Sequence, residues 1–186
     1  MRFNDRSSEV KKLQNKLKKM GYNLTIDGIF GQETMEIILS FQSAFDLKID
    51  GIVGKNTSSK IDSIYKIRNS RNLNTKHFNQ SEFKCRCCGK NPGIYLSLLL
   101  NLELVRYKAG ENPVSIYSGY RCKKHNIAVK GATKSQHLYA KAADIHIDGI
   151  SMDKLYKICD KVFSKNGVGR YPTFVHVDIR SWKARW

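Results

Sequence analysis

Lys141-Ala-Ala-Asp-Ile-His-Ile-Asp148 and Thr173-Phe-Val-His-Val-Asp-Ile179 decide how this chain folds. Both alternate polar and apolar residues, with β-branched side chains at most of the apolar positions, which predicts half-buried strands. Because strand side chains alternate in direction, Asp144, His146 and Asp148 share one face, while Ala143, Ile145 and Ile147 share the other. Phe174, His176 and Asp178 likewise share a face, leaving Val175, Val177 and Ile179 to pack into a core. Laid side by side, the two strands put Asp144 and His176 on one surface. Upstream, Ser135-Gln-His137 sits on a loop or short turn, six residues separating His137 from Asp144, so His137 comes within reach. Two histidines and an aspartate supply three ligands and leave a fourth position open, the arrangement of a catalytic rather than a structural zinc ion. Spacing alone also admits a plainer reading, with His176 a partly buried strand residue and Asp144 a polar edge group.

Outward from these strands, the second half of the chain reads as mixed helix and strand. An amphipathic helix is expected over Ile94 to Tyr107, followed by the strand Val114-Ser-Ile-Tyr117 and a Lys/Gly-rich loop from Lys123 to Lys134. A further helix, Met152 to Phe163, carries Leu155, Tyr156, Cys159, Val162 and Phe163 on its inner face. Such an order predicts an α+β domain, residues 77–186, with an antiparallel or mixed sheet.

The first half repeats itself. Leu24-Thr-Ile-Asp-Gly-Ile-Phe-Gly31 recurs as Leu47-Lys-Ile-Asp-Gly-Ile-Val-Gly54. Each Asp-Gly is a turn signal followed by a helical segment opening near Gln32 or Asn56. Val10, Leu13, Leu17 and Met20 mark a preceding helix, with Ser8 as its N-cap and Gly21 as its stop. Met35, Ile38, Leu39, Gln42 and Phe45 mark a second helix, and Ile61, Ile64 and Tyr65 a third. Residues 1–68 are thus expected to form a small all-α three-helix domain. Residues 69–76 are polar and aperiodic and read as a linker, so the two halves should be separable.

The chain of 186 residues carries a net charge of +17. It shows neither an arginine-rich arm nor a nucleic-acid motif; attraction to another polyanion and a merely soluble, lysine-rich surface are both open readings of the excess. No nucleic-acid partner is expected. No apolar run is long enough to cross a membrane, and the first residues lack the apolar core of a secretory signal. Synthesis in the cytoplasm as a monomer, with no membrane insertion, is the expectation. A cytoplasmic origin argues against disulfides among the five cysteines. Cys159 reads as a small core residue. Cys85, Cys87, Cys88 and Cys122 are candidates for a second, structural zinc, with free thiols as the alternative, because Cys-x-Cys-Cys is not an established ligand spacing.

Ser118-Gly-Tyr-Arg121, Ser135-x-His137, Ala142-x-Asp144 and Phe174-Val-His-Val-Asp178 together resemble peptidase family M15, subfamily A, the zinc D-Ala-D-Ala carboxypeptidases and related cell-wall endopeptidases. The likeness covers about the last 110 residues. It departs at Ala140, where the family usually has glycine; if that position needs a positive φ, alanine is strained there. Val10-x-x-Leu13-Gln14, Leu24-x-x-Asp27-Gly-x-x-Gly31-x-x-Thr34 and Phe41-Gln42 resemble a type 1 peptidoglycan-binding domain. Asp27, Gly28 and Gly31 are expected to build its turn and helix start rather than to contact a ligand.

The resemblance implies a peptidoglycan hydrolase that uses one catalytic Zn²⁺ on His137, Asp144 and His176. Hydrolysis would proceed without an acyl-enzyme, so Ser135 is expected to orient its loop at the substrate site. Arg121 is expected to grip a substrate carboxylate bidentately, and Tyr171 to line the cleft. Many relatives have a carboxylate three residues before the last histidine; here that residue is Thr173. Asp178 is then the nearest remaining candidate for the general base, with orientation of a metal ligand as its alternative role. Wall-directed domains without a signal resemble phage or prophage endolysins, which act on the wall after release and, if phage-encoded, need a holin. The competing functions are a non-catalytic wall-binding protein with a vestigial metal site and a metal-dependent nucleic-acid enzyme.

Overall fold

The computed structural model describes all residues, 1–186. Helix α1 (Ser8–Lys19) is capped by Ser7, whose hydroxyl accepts a hydrogen bond from the Val10 amide at 3.2 Å. Ser8, the expected cap, is instead the first helical residue. α1 buries Val10, Leu13, Gln14 and Leu17, the face its apolar spacing marks out. Gly21 ends the helix with φ +107.

The sequence repeat folds into a repeated hydrogen-bond network. Gln14 in α1 and Gln42 in α2 (Gln32–Ala44) are both buried. The Gln14 amide donates to Asp27, to the Ile29 carbonyl and to Thr34, while its oxygen accepts from the Gly28 amide at 2.8 Å. Gln42 makes the same four bonds to Asp50, Ile52, Thr57 and Gly51. Gly28 and Gly51 take φ of +79 and +68, which the Asp-Gly turns require. Each buried glutamine thereby ties one Asp-Gly loop to the helix that follows it, α2 in one copy and α3 (Lys55–Lys66) in the other.

Helix α4 (Leu96–Lys108) differs from the amphipathic helix expected. Leu96 and Leu98 to Val105 are all buried, so no solvent face remains along most of its length. A helix apolar on all sides belongs in the middle of a core, and α4 packs against α2 on one side and, on the other, against a later helix, α6 (Met152–Val162). One hydrophobic cluster therefore runs from Val10 to Val177 through both halves. Gly21 marks how closely they approach: a Cβ there would stand 2.4 Å from the Ser97 Cβ. Asn101 donates to the Gly21 carbonyl, and Lys108 pairs with Glu36. The segment expected to be a free linker is tied down as well, through Lys76 N to Ala44 O and Leu96 N to Ser70 O. The halves are sequential in the chain but share a core, against the expectation that they separate.

Beyond α4 come β1 (Ser115–Ser118), α5 (Lys123–Ala128), β2 (Ala142–His146), α6 (Met152–Val162), β3 (Gly167–Arg170), β4 (Val175–Asp178) and β5 (Ala184–Arg185). They build a mixed five-stranded sheet in the order β1-β2-β4-β3-β5, antiparallel except for the β3–β5 pair. α6 covers β3 and β4. In the β2–β4 register Asp144 lies directly opposite His176, as the alternation predicts. Three elements were not anticipated. α5 lies in the stretch read as a loop, because six residues are too few to show helical periodicity. β3 is half glycine, which weakens any strand signal, and β5 has only two residues. No helix is long and apolar enough to cross a membrane.

Candidate active site

Three elements converge on one point. His137 comes from a short 3-10 turn, Gln136–Tyr139; Asp144 comes from β2 and His176 from β4. Ala140 closes the turn in the left-handed region at φ +56, so this position does demand the conformation that glycine adopts more cheaply. The strain redirects the chain from the turn into β2 within a few residues.

Asp144 Oδ1 lies 3.1 Å from His137 Nε2 and 2.9 Å from His176 Nδ1, and the two nitrogens are 3.1 Å apart. All three residues are buried. The opposite nitrogens are engaged elsewhere. His137 Nδ1 is 2.6 Å from the Gly119 carbonyl, an acceptor, so that nitrogen carries the proton and Nε2 is left with a lone pair. His176 Nε2 is 3.1 Å from Asp178 Oδ2, which fixes its proton in the same way. Two imidazole lone pairs and a carboxylate oxygen thus face one another, a mutually repulsive set that a cation would neutralise. Tetrahedral zinc donors at about 2.0–2.1 Å from the ion stand roughly 3.3 Å apart, close to the spacing observed. The donor set fits zinc.

Electrostatics agree with this geometry. Burial, countered only in part by Asp144, holds the His137 pKa below its usual value, so its nitrogen is free for a metal near neutrality. Burial works against the Asp144 charge, yet the adjacent imidazoles of His137 and His176 hold its carboxyl well below the usual range. His176 is also opposed by burial, but two flanking carboxylates push it up. Binding a cation there displaces a proton.

Arg121 lies beside the donors and not free in the cleft. Its Nη2 donates to Asp144 Oδ2 and its Nε to Ser118 Oγ at 2.8 Å. This leaves Asp144 Oδ1 for the metal position and takes up the Nε–H and one Nη2–H, so any bidentate carboxylate grip by Arg121 falls to the outer fork of its guanidinium. Nη1 remains. Asp178 is placed where a general base cannot act. It is fully buried, lies behind His176 on the side away from His137, and is held bidentately by Arg180. Burial opposes its charge, but His176 and Arg180 together hold its carboxyl low. Its place is that of a positioning residue for His176.

A cleft of about 1100 Å³ opens over the donors, and its lining includes Ser135 and Tyr171. Asp144 is the only carboxylate on that lining; Arg86, Arg121, Lys130, Lys134 and Arg180 make it strongly basic. Sequence reading missed the aromatic wall. The Trp186 ring sits 5.2 Å from that of His176, and its indole donates to the Tyr171 hydroxyl at 2.9 Å. Arg180 lies near the Trp182 and Trp186 rings, 5.5 and 5.1 Å from their centres. The glycines of β3 make this possible: a Cβ on Gly167 would stand 2.4 Å from Asp178 Oδ2, and one on Gly169 2.4 Å from the Trp186 indole nitrogen. The only signal in the sequence was two tryptophans close together in a basic stretch.

Of the cysteines, Cys159 is in the core and all five are free. Cys85, Cys88 and Cys122 gather beside the cleft with their sulfurs mutually within 4.8 Å, and exposed Cys87 is outside that group. Burial works against ionisation of Cys85, but backbone amides of Cys122, Cys87 and Cys88, together with His125, bring its thiol down to about 6.

Comparison with known proteins bears on both halves. A family model described as Peptidase M15 matches residues 76–178, and one described as a putative peptidoglycan binding domain matches residues 6–61. The chain is 32% identical over 135 residues to the zinc D-Ala-D-Ala carboxypeptidase of Streptomyces albus G, covering 67% of this chain and 51% of that protein. It is 37% identical over 102 residues to the peptidoglycan L,D-endopeptidase MepK of Escherichia coli K12, covering 50% and 54%. The chain therefore spans about half the length of these curated relatives.

Proposed function

Since the chain belongs to the peptidase M15 family, we propose that it is a zinc-dependent peptidoglycan hydrolase that cleaves an amide bond in wall stem peptides or cross-links, held on its substrate by the N-terminal domain. The observation that carries this reading is the convergence of His137 Nε2, Asp144 Oδ1 and His176 Nδ1 at the floor of a basic cleft. Bound by these three atoms, zinc supplies Lewis-acid polarisation of the scissile carbonyl and a lowered pKa for water.

The chain's own residues do the rest. The Gly119 carbonyl and Asp178 fix the tautomers of His137 and His176, so that each presents a lone pair. Arg121 holds one oxygen of Asp144 and turns the other towards the histidines, while its Nη1 is available to an oxygen of the substrate. Lys130, Lys134 and Arg86 give the cleft a positive field suited to a peptide bearing carboxylates. Trp186 and Tyr171 wall off the His176 side from bulk water.

Two relatives named for different bonds, D-Ala-D-Ala and an L,D linkage, leave the peptide-bond class as the proposal. The endolysin role, acting on the wall after release, accords with a wall-binding module fused to a wall hydrolase. The turbidity of purified cell walls tests the proposal: it should fall on addition of the protein, stop falling with a chelator and resume with zinc. Walls that bind the protein but lose no turbidity in zinc would favour a wall-binding protein without catalysis.

A further inference from the structure

The cysteines beside the cleft come from two short motifs far apart in the chain, Cys85-Arg-Cys-Cys88-Gly89 and Cys122-Lys-Lys-His125. The first is wound into a tight turn. The Cys85 amide donates to the Lys90 carbonyl at 2.9 Å, and the Gly89 amide returns to the Cys85 carbonyl at 2.8 Å. Gly89 takes φ +69, with open space where a side chain would be. Amides of Cys87 and Cys88 point at the Cys85 sulfur, and that of Lys90 at the Cys88 sulfur. A turn of this shape presents two sulfurs, with two residues between them, on the same side, each supported by N–H donors that favour the thiolate.

The second motif opens α5 and meets the first. The Cys122 amide donates to Cys85 Sγ at 3.4 Å, and Cys122 Sγ accepts from the His125 amide at 3.4 Å. The His125 ring places Nδ1 3.4 Å from Cys85 Sγ. Cys-x-x-Cys and Cys-x-x-His from two segments are a ligand pattern that Cys-x-Cys-Cys is not.

We propose that Cys85, Cys88, Cys122 and His125 bind a second zinc ion, tetrahedral and structural. Three thiolates and one imidazole fill the coordination sphere, so no position remains for substrate or water. Such soft donors select zinc over magnesium or calcium. Cys87 is not a ligand: its sulfur lies outside the group that Cys85, Cys88 and Cys122 form.

The site has a task in the fold. Arg121, which holds Asp144, directly precedes Cys122. The Tyr120 amide donates to the Phe83 carbonyl at 2.9 Å, and a Cβ on Gly119 would stand 2.5 Å from the Phe83 Cα. Residues 118–121 are thus laid along the chain that leads into Cys85. α5 has six residues, too few to persist alone. A metal joining its first turn to the Cys85–Cys88 turn pins both α5 and Arg121 against the cleft, whose lining includes His125.

Counting metal in the purified, reduced, full-length chain tests the proposal, using zinc alone as the probe and mass spectrometry as the readout. Two zinc ions per chain are expected, one surviving in a His137→Ala/His176→Ala variant and one in a Cys85→Ser/Cys88→Ser variant. Cobalt loaded into the His137→Ala/His176→Ala variant should give the intense near-ultraviolet band of thiolate ligation. His125→Ala should weaken cobalt binding by at least tenfold, and Cys87→Ser should leave the band unchanged. A wild-type chain that holds one zinc, lost in His137→Ala/His176→Ala, with every exposed thiol reacting freely, would overturn the second site. So would a Cys85–Cys88 disulfide in the native protein. A band lost in Cys87→Ser and kept in His125→Ala would overturn the ligand set. Because the wild-type count needs no variant to fold, the outcome does not depend on the substitutions being tolerated.

Discussion

His176 carries a carboxylate on each side, Asp144 at Nδ1 and Asp178 at Nε2. Which nitrogen faces the metal position decides what Asp178 can do, and the ring faces inward through Nδ1. Period-two alternation was enough to put Asp144, His176 and Asp178 on one sheet face, because a strand side chain has only two directions to take. It could not say which edge of an imidazole points where, since that depends on rotamers set by Arg180 and by the missing side chain of Gly167. Asp178→Asn should therefore weaken zinc binding about 10–100-fold, the range seen when the partner of a metal-bound histidine is changed. Excess zinc should restore most of the hydrolysis, as followed by zinc competition titration alongside activity. A variant that keeps full zinc occupancy and still loses its activity would return Asp178 to the role of base.

At the scale of elements, the repeat and the short strands pull in opposite directions. The Asp-Gly copies were legible because turns at fixed offsets leave a textual mark, but the reason for Gln14 and Gln42 appears only in the folded chain. Each satisfies a loop amide, a loop carbonyl and two side chains from the interior. Removing such a group strands buried partners, at about 1–3 kcal/mol for each polar atom left without water. Gln42→Ala should lower stability by about 2–4 kcal/mol, measured as a drop in the urea midpoint at constant slope. A shift under about 0.5 kcal/mol would show that the network is not what holds the second loop. β3 and α5 stayed hidden for a different reason. The glycines that make β3 read as a loop are the ones that admit Asp178 and Trp186, so the site itself erased the local signal. α5 spans too little chain for a 3.6-residue period to register.

In the whole molecule, α4 is the element whose reading changed most. Its leucines predicted a helix, and a helix is there; what the sequence could not reveal was a partner on every side. The N-terminal domain packs on one flank of α4 through α2, and the rest of the C-terminal domain packs through α6 on the other. A polar connection between them suggested independence because composition reports the surface of a linker, not the contacts that its neighbours make. Glu36–Lys108 and Asn101–Gly21 fix the N-terminal domain against the catalytic one. A wall-bound chain would then hold its cleft in a set orientation to the polymer, which suits repeated cuts in a solid substrate.

His137, Asp144 and His176 are proposed to hold a zinc ion that would support hydrolysis of a peptide bond in peptidoglycan. Mass spectrometry of the soluble fragments from digested wall tests it most directly, because each new terminus identifies the bond that was cut. New paired amino and carboxyl termini within the stem or cross-link peptides are predicted, absent with a chelator and absent for His176→Ala, which should still sediment with the wall. Fragments with intact peptides, or the same new termini released by His176→Ala, would contradict the account.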